Sequence, residues 1–335
     1  GMNNMDINIV PSHHSKLVFE QTTYDQKNEA GDVVSTVKCN TPIHVLFEGL
    51  DIDIFDKNED ASFEGIDHIP ESFCFLTVGH WLAGNFGHDR KDLAGTMQTF
   101  IQTFKGSPQK TKPALLMKTS SATFSVTDRE SILQKVKMVK AQCGVPLDQQ
   151  PNIYVIHGDL TEAEMNGLYN HPKVKAHLSF TKGEGFGRPL LEASVSGKPV
   201  IASNWSGHLD FLHPDYSTLL PGNLQPVHRS AQWKGVINEG SQWFYVNYKN
   251  AERILRDVYK SYKSYTDGAR QQAYLSRTEF SIEKMNALFV GILDKYIKVE
   301  QAPVHTALNL PKLTKIGDTN APPKLNLPKL KKIQI

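Results

Sequence analysis

The 335 residues carry 39% hydrophobic side chains and a net charge of +2, which are the proportions of a globular protein with one large domain or two ordinary ones. They exclude an unfolded chain. They also exclude a bulk polyanion binder, since the lysines of the C-terminal tail account for the positive balance. No apolar run approaches membrane-spanning length, and Cys39, Cys74 and Cys143 form no CxxC pair, so free thiols in a reducing, cytoplasmic setting are expected.

In chain order, a short strand over 6–10 precedes Pro11-Ser12, where Ser12 is placed to cap a helix running to about residue 25. Glu29-Ala30-Gly31-Asp32 reads as a hairpin turn, 43–47 as a strand, and Glu48-Gly49-Leu50-Asp51 as a loop. The continuous apolar run 73–78, with Cys74 inside it, predicts a buried parallel strand. Helix patterns over 90–104, 128–142 and 162–169 alternate with strand patterns over 114–118 and 152–156. A strand over 174–180, a glycine-rich loop, a helix and a strand over 198–203 follow, and helices over 251–262 and 281–298 close the body. This alternation predicts an α/β fold with a Rossmann-like, doubly wound parallel sheet. Trp205, Trp233 and Trp243 read as core or loop-anchoring aromatics.

The tail differs in kind. LNLPKLTKI at 308–316 returns as LNLPKLKKI at 325–333, and its prolines and brevity prevent a core of its own. It is expected to be disordered, either engaging another protein or an acidic surface or serving as an inert end.

The most informative stretch is SFTKGEGFGRPLLEASVSGKPVIASNWSGHLDFL, residues 179–212. Gly183, Gly185 and Gly187 open the mouth of a helix, where free backbone N–H groups favour an anion. Pro189 suits the first helical turn. Glu184 lies in the loop and Glu192 in the helix, with seven residues between them. A loop at the carboxyl end of a parallel strand is where open α/β sheets hold ligands.

This string resembles the E-x7-E signature of retaining, metal-independent nucleotide-sugar glycosyltransferases with two Rossmann-like domains, the GT-B type. The group 1 family, with its sucrose-synthase-like and mannosyltransferase members, is the nearest in motif order. The resemblance implies transfer of a sugar from a nucleotide-diphosphate donor to a hydroxyl acceptor, with no cofactor beyond the donor substrate. It places Glu184 against the donor sugar and Glu192 on the ribose hydroxyls, with Gly185 and the amides of Phe186 and Gly187 positioning the sugar. The loop GHWLAGNFGHDRKD, residues 79–92, stands where the family carries an arginine and a lysine for the diphosphate. Lys91 matches that lysine, His80 replaces the arginine, and Arg90 is placed to compensate. Two cations at a helix start would oppose its dipole, an inconsistency typical of function. Lys118 ends a strand at the ligand edge and either reaches the donor or caps the strand. Gly158 offers its backbone to the nucleotide base, His157 beside it reads as structural, and Arg188 either contacts a phosphate or is an ordinary surface arginine.

PSHHSK (11–16) and EGLDIDIF (48–55) resemble the family's interdomain segment, which normally falls midway along such enzymes. The implied organisation is a remnant of the acceptor domain and linker over 1–71, a nucleotide-sugar domain over 72–300, and the tail over 301–335. On that reading most of the acceptor domain is absent. Asp51-Ile52-Asp53 spells a metal motif of a different transferase fold but lies in this linker segment, and no cysteine–histidine cluster has zinc spacing, so no metal is expected. The rival readings are a non-catalytic nucleotide-sugar-binding or interaction module, and a GT-B epimerase or phosphorylase. The acceptor, sugar and base are not encoded in any recognisable motif, and neither nucleic acid nor membrane is indicated.

Overall fold

The computed structural model describes residues 1–297 except 83, 85, 109, 110 and 122, and residues 1–295 form one compact unit. The tail repeats lie outside the described residues. The unit begins with β1 (Asn8–Val10), α1 (His13–Gln21), a hairpin of β2 (Thr23–Lys27) and β3 (Val33–Lys38), and β4 (Ile43–Val45), which pairs parallel with β1. Ser12 caps α1 by accepting from Ser15 N–H, as expected. The helix stops at Gln21 instead of running to 25, because Thr22 is extended and the next residues pair across the hairpin. Pairing with β3 satisfies those backbone groups in place of the helix.

After the short α2 (Glu64–Asp67) come β5 (Cys74–Val78), α3 (Leu93–Phe104), β6 (Ala114–Lys118), α4 (Val126–Gln142), β7 (Ile153–Ile156) and α5 (Glu162–Asn170). The second half holds β8 (Val174–Ser179), α6 (Arg188–Ser194), β9 (Val200–Ser203) and β10 (Thr218–Leu220). An antiparallel hairpin of β11 (Gly222–Pro226) and β12 (Gln242–Val246) is followed by α7 (Tyr248–Lys260), α8 (Lys263–Glu279) and α9 (Ile282–Leu293).

The central sheet has six parallel strands in the order β10-β9-β8-β5-β6-β7. Successive side chains face opposite sides of a strand. Phe75, Leu115 and Met117 therefore join the core under α3, α4 and α7, while Cys74, Leu76 and Leu116 join the core with Leu191 and Phe211. Both faces are covered, which is why β5 and β6 read as unbroken apolar runs.

Three expectations shift. The helix foreseen over 90–104 starts at Leu93, because Asp92 adopts a left-handed conformation at φ 52°. The helix foreseen from 251 begins at Tyr248, where Asn247 caps it. α8 was not foreseen: its inward face is Ala269, Gln272, Ala273 and Ser276, too polar to leave an apolar period. Trp233, read as an anchor, is 68% exposed. Among the described residues no helix is long and apolar enough to cross a membrane.

Candidate functional site

In this parallel sheet β6 and β7 are added on one side of β5 and β8, β9 and β10 on the other, so the strand order reverses between β5 and β8. Loops leaving the carboxyl ends of two such strands diverge and open a crevice. Here those loops are 79–92 after β5 and 180–187 after β8, and they bring together residues about ninety positions apart in sequence.

At the crevice floor, Glu184 Oε1 accepts from Lys91 Nζ at 2.5 Å and from Thr181 Oγ1 at 2.6 Å. Its Oε2 accepts from Arg90 Nη1 at 3.1 Å, and that same nitrogen donates to the Gly183 carbonyl at 2.6 Å. The Glu184 side chain is only 9% exposed. Burial pulls its pKa upward, but the charges of Lys91 and Arg90 outweigh burial and hold it at about 2. Burial also lowers the Lys91 pKa, against the pull of Glu184. A carboxylate whose folded pKa is depressed stabilises the fold above its unfolded pKa and loses that contribution as pH falls through the folded value. The gap in thermal midpoint between the wild type and Glu184→Gln is therefore expected to close between pH 4.5 and about 2, as read from melts across that window.

Arg90 and Lys91 sit in a turn ahead of α3, not in its first helical turn. The acidic neighbours face the other way: Asp89 and Asp92 are fully buried, and Asp89 Oδ2 accepts from Leu93 N–H at 2.9 Å.

Glu192 lies on α6, buried, with both oxygens engaged. Tyr169 donates to Oε2 at 3.0 Å and Arg188 Nε to Oε1 at 2.8 Å. Burial raises the Glu192 pKa, opposed by those two partners. Arg188 spends its other end on Glu162 at 2.5 Å, so the structure turns it toward two carboxylates. A cavity of about 20 Å³, room for one water, lies between Lys91, Glu184, Gly187 and Tyr169.

His80 Nδ1 is 2.9 Å from Ser120 Oγ, and burial, with Lys91, Lys118 and Arg90 nearby, lowers its pKa. Lys118 Nζ donates to the Gly158 carbonyl, in the loop that leaves the neighbouring strand β7, at 2.6 Å. Gly158 has φ +144°, a backbone conformation that L side chains rarely adopt. His157 Nε2 lies 2.8 Å from Asp128 Oδ2.

The glycine loop is shaped by close packing. Gly187 opens α6 at φ +100°, and the Phe186 ring is buried against Phe211 and Phe280. A Cβ on Gly207 would stand 2.1 Å from the Gly185 carbonyl oxygen, so two backbone segments touch there. Ser206 Oγ accepts the Glu184 N–H at 2.8 Å, and Gly207 N–H donates to the Glu184 carbonyl at 3.1 Å. From the other side, Ser15 donates to the Gly185 carbonyl and His13 bonds Asp210 through N–H and ring.

Sequence reasoning missed Thr181, Tyr169, Lys182 and Asp92. Thr181 and Lys182 stand within the motif string itself. Tyr169 carried no signal, because its link to Glu192 is made by packing α5 against α6.

Residues 147–239 match the family model described as "Glycosyl transferases group 1". No curated protein matches the chain. Sucrose-phosphate synthase from Thermosynechococcus elongatus is similar in structure, with TM-score 0.58 and 16% identity over 88% of this chain and 59% of that one. Anabaena Alr3699/HepE in complex with UDP and glucose gives TM-score 0.55 and 14% identity, over 88% and 64%. Trehalose-6-phosphate synthase OtsA gives 0.57 and 10%, over 88% and 61%. The chain thus spans about 60% of the length of these structures. The α/β fold with its six-stranded parallel sheet matches that of GT-B structures, and the segment matched by the family model carries Glu184 and Glu192.

Proposed function

We propose that the crevice between β5 and β8 binds a nucleotide-diphosphate sugar and transfers its sugar to a hydroxyl acceptor with retention, without a metal or further cofactor, in the cytoplasm. The observation that carries this reading is the convergence of Arg90 and Lys91 on Glu184 at the sheet reversal. A departing diphosphate accumulates negative charge, and two fixed cations in a partly dehydrated crevice stabilise it. Glu184 is ionised at neutral pH, so it serves as an acceptor for sugar hydroxyls and a counter-charge for a positively charged sugar, not as a proton donor. The bond from the anomeric carbon to the phosphate oxygen breaks while the acceptor oxygen bonds the same face. The acceptor's proton passes to the leaving phosphate. HepE's complex with UDP and glucose supports the ligand class.

Calorimetry with UDP and GDP, then a screen of their sugars for product release, tests the reading. Failure of both nucleotides to bind would refute it, and binding with no turnover for any donor and acceptor would favour the non-catalytic module.

Glu192→Gln places an amide opposite two donors, Tyr169 and Arg188, and removes the charged acceptor proposed for the ribose. Affinities for UDP and uridine are expected to fall alike, by about 1–3 kcal/mol, since both carry the ribose. A loss confined to UDP would take Glu192 off the ribose.

A further inference from the structure

Lys182, two residues before Glu184, is completely buried. Its ammonium donates to the carbonyls of Gly87 at 2.5 Å and Asp89 at 2.9 Å, and stands 3.4 Å from Asp92 Oδ1. The Tyr245 ring of β12 lies 4.3 Å from it and Trp243 5.8 Å, so aromatic faces line the ammonium. Its main chain is committed as well: N–H donates to the Arg90 carbonyl at 2.9 Å, and its carbonyl accepts from Phe244 N–H at 3.1 Å. Asp92 is held further by Tyr248, whose hydroxyl donates to Oδ2 at 2.6 Å.

One side chain therefore ties the turn 87–92 to the glycine loop and to the β11–β12 hairpin. The turn Asp89-Arg90-Lys91-Asp92 is sorted by charge, with Asp92 buried against Lys182, Asp89 buried on the N–H of Leu93, and the two bases directed to Glu184. Burial pushes Asp92 up to about 6 against the pull of Lys182, so the pair is held at a cost. Buried ion pairs stabilise poorly relative to apolar packing, and their attested use is to fix one arrangement over others.

We propose that Lys182 is a positioning residue that aims Arg90 and Lys91 into the crevice. The inference rests on the reading of those two cations as the diphosphate site. Catalytic geometry tolerates errors of well under 1 Å, and a turn without regular structure requires such an outside brace.

Lys182→Met alone strands Asp92 without its cation and risks misfolding, so the decisive variant is Lys182→Met/Asp92→Asn, which removes both charges. The 335-residue chain is titrated calorimetrically with UDP and with uridine, and the variant's crystal structure is determined. UDP affinity is expected to fall about tenfold or more, the cost of a displaced charge-assisted bond, with uridine unchanged. In the variant's crystal structure, Arg90 and Lys91 should no longer bond to Glu184. Unchanged UDP affinity with both ion pairs intact would overturn the proposal, as would equal losses for UDP and uridine with the turn in place, the pattern of a merely stabilising residue. If wild-type protein binds neither UDP nor GDP, the diphosphate reading fails, while a displaced turn in the variant still assigns the bracing role to Lys182.

Discussion

Lys91→Ala is expected to weaken UDP binding on the order of 100-fold while leaving uridine nearly untouched. The lysine is 12% exposed and bonded to Glu184, so its charge acts in a poorly screened environment. Losing a charge-assisted bond costs about 2–3 kcal/mol, and every 1.4 kcal/mol is tenfold in affinity. The loss is compounded because Glu184 keeps its negative charge with only Arg90 to offset it, and that charge then faces the incoming diphosphate. Uridine has no phosphate to feel either change. Calorimetry on both ligands decides the matter: equal losses would mean that Lys91 acts through the structure of the crevice and not on the diphosphate.

Gly207→Ala is the substitution with the largest expected effect on stability. The added Cβ would meet the Gly185 oxygen at 2.1 Å, the Gly185 carbonyl carbon at 2.6 Å and the Glu184 oxygen at 2.9 Å, all of them backbone atoms. None is the tip of a flexible side chain, so one loop must move. Overpacking of this severity costs about 3 kcal/mol or more, and for a unit of this size that lowers Tm by roughly 6–12 °C. Whichever loop moves, the backbone bonds that tie Glu184 to Ser206 and Gly207 are disturbed, so nucleotide binding should fall as well. Gly183→Ala is the control: nothing lies within 4 Å of its Cβ position, and its stability should stay within about 0.5 kcal/mol of wild type. A Tm for Gly207→Ala matching that of Gly183→Ala would show that the two loops do not touch in solution.

Much of this architecture was legible in the chain. The apolar runs of β5 and β6 announce parallel strands buried on both faces, because a covered sheet has no polar face to alternate with. Ser12 marks a helix start through its own side chain, and the glycines of 183–187 mark a loop at a strand's carboxyl end. These are local features, set by interactions within a few residues. The motif string likewise singled out Glu184 and Glu192 without any structure.

Only the tertiary structure decided what those residues touch. The reversal of strand order between β5 and β8 depends on pairing between distant segments, and it alone carries Arg90 and Lys91 to Glu184. Sequence spacing gave a helix start at Arg90, whereas the left-handed Asp92, held by Lys182 and Tyr248, keeps both cations in a turn. Tyr169 reaches Glu192 by packing of α5 against α6, and Gly207 matters because another backbone lies 2.1 Å from where its Cβ would be. Periodicity and capping act over one or two turns of chain. Ion pairs and close backbone approaches act between segments that only the folded sheet brings together, so they leave no local trace to read.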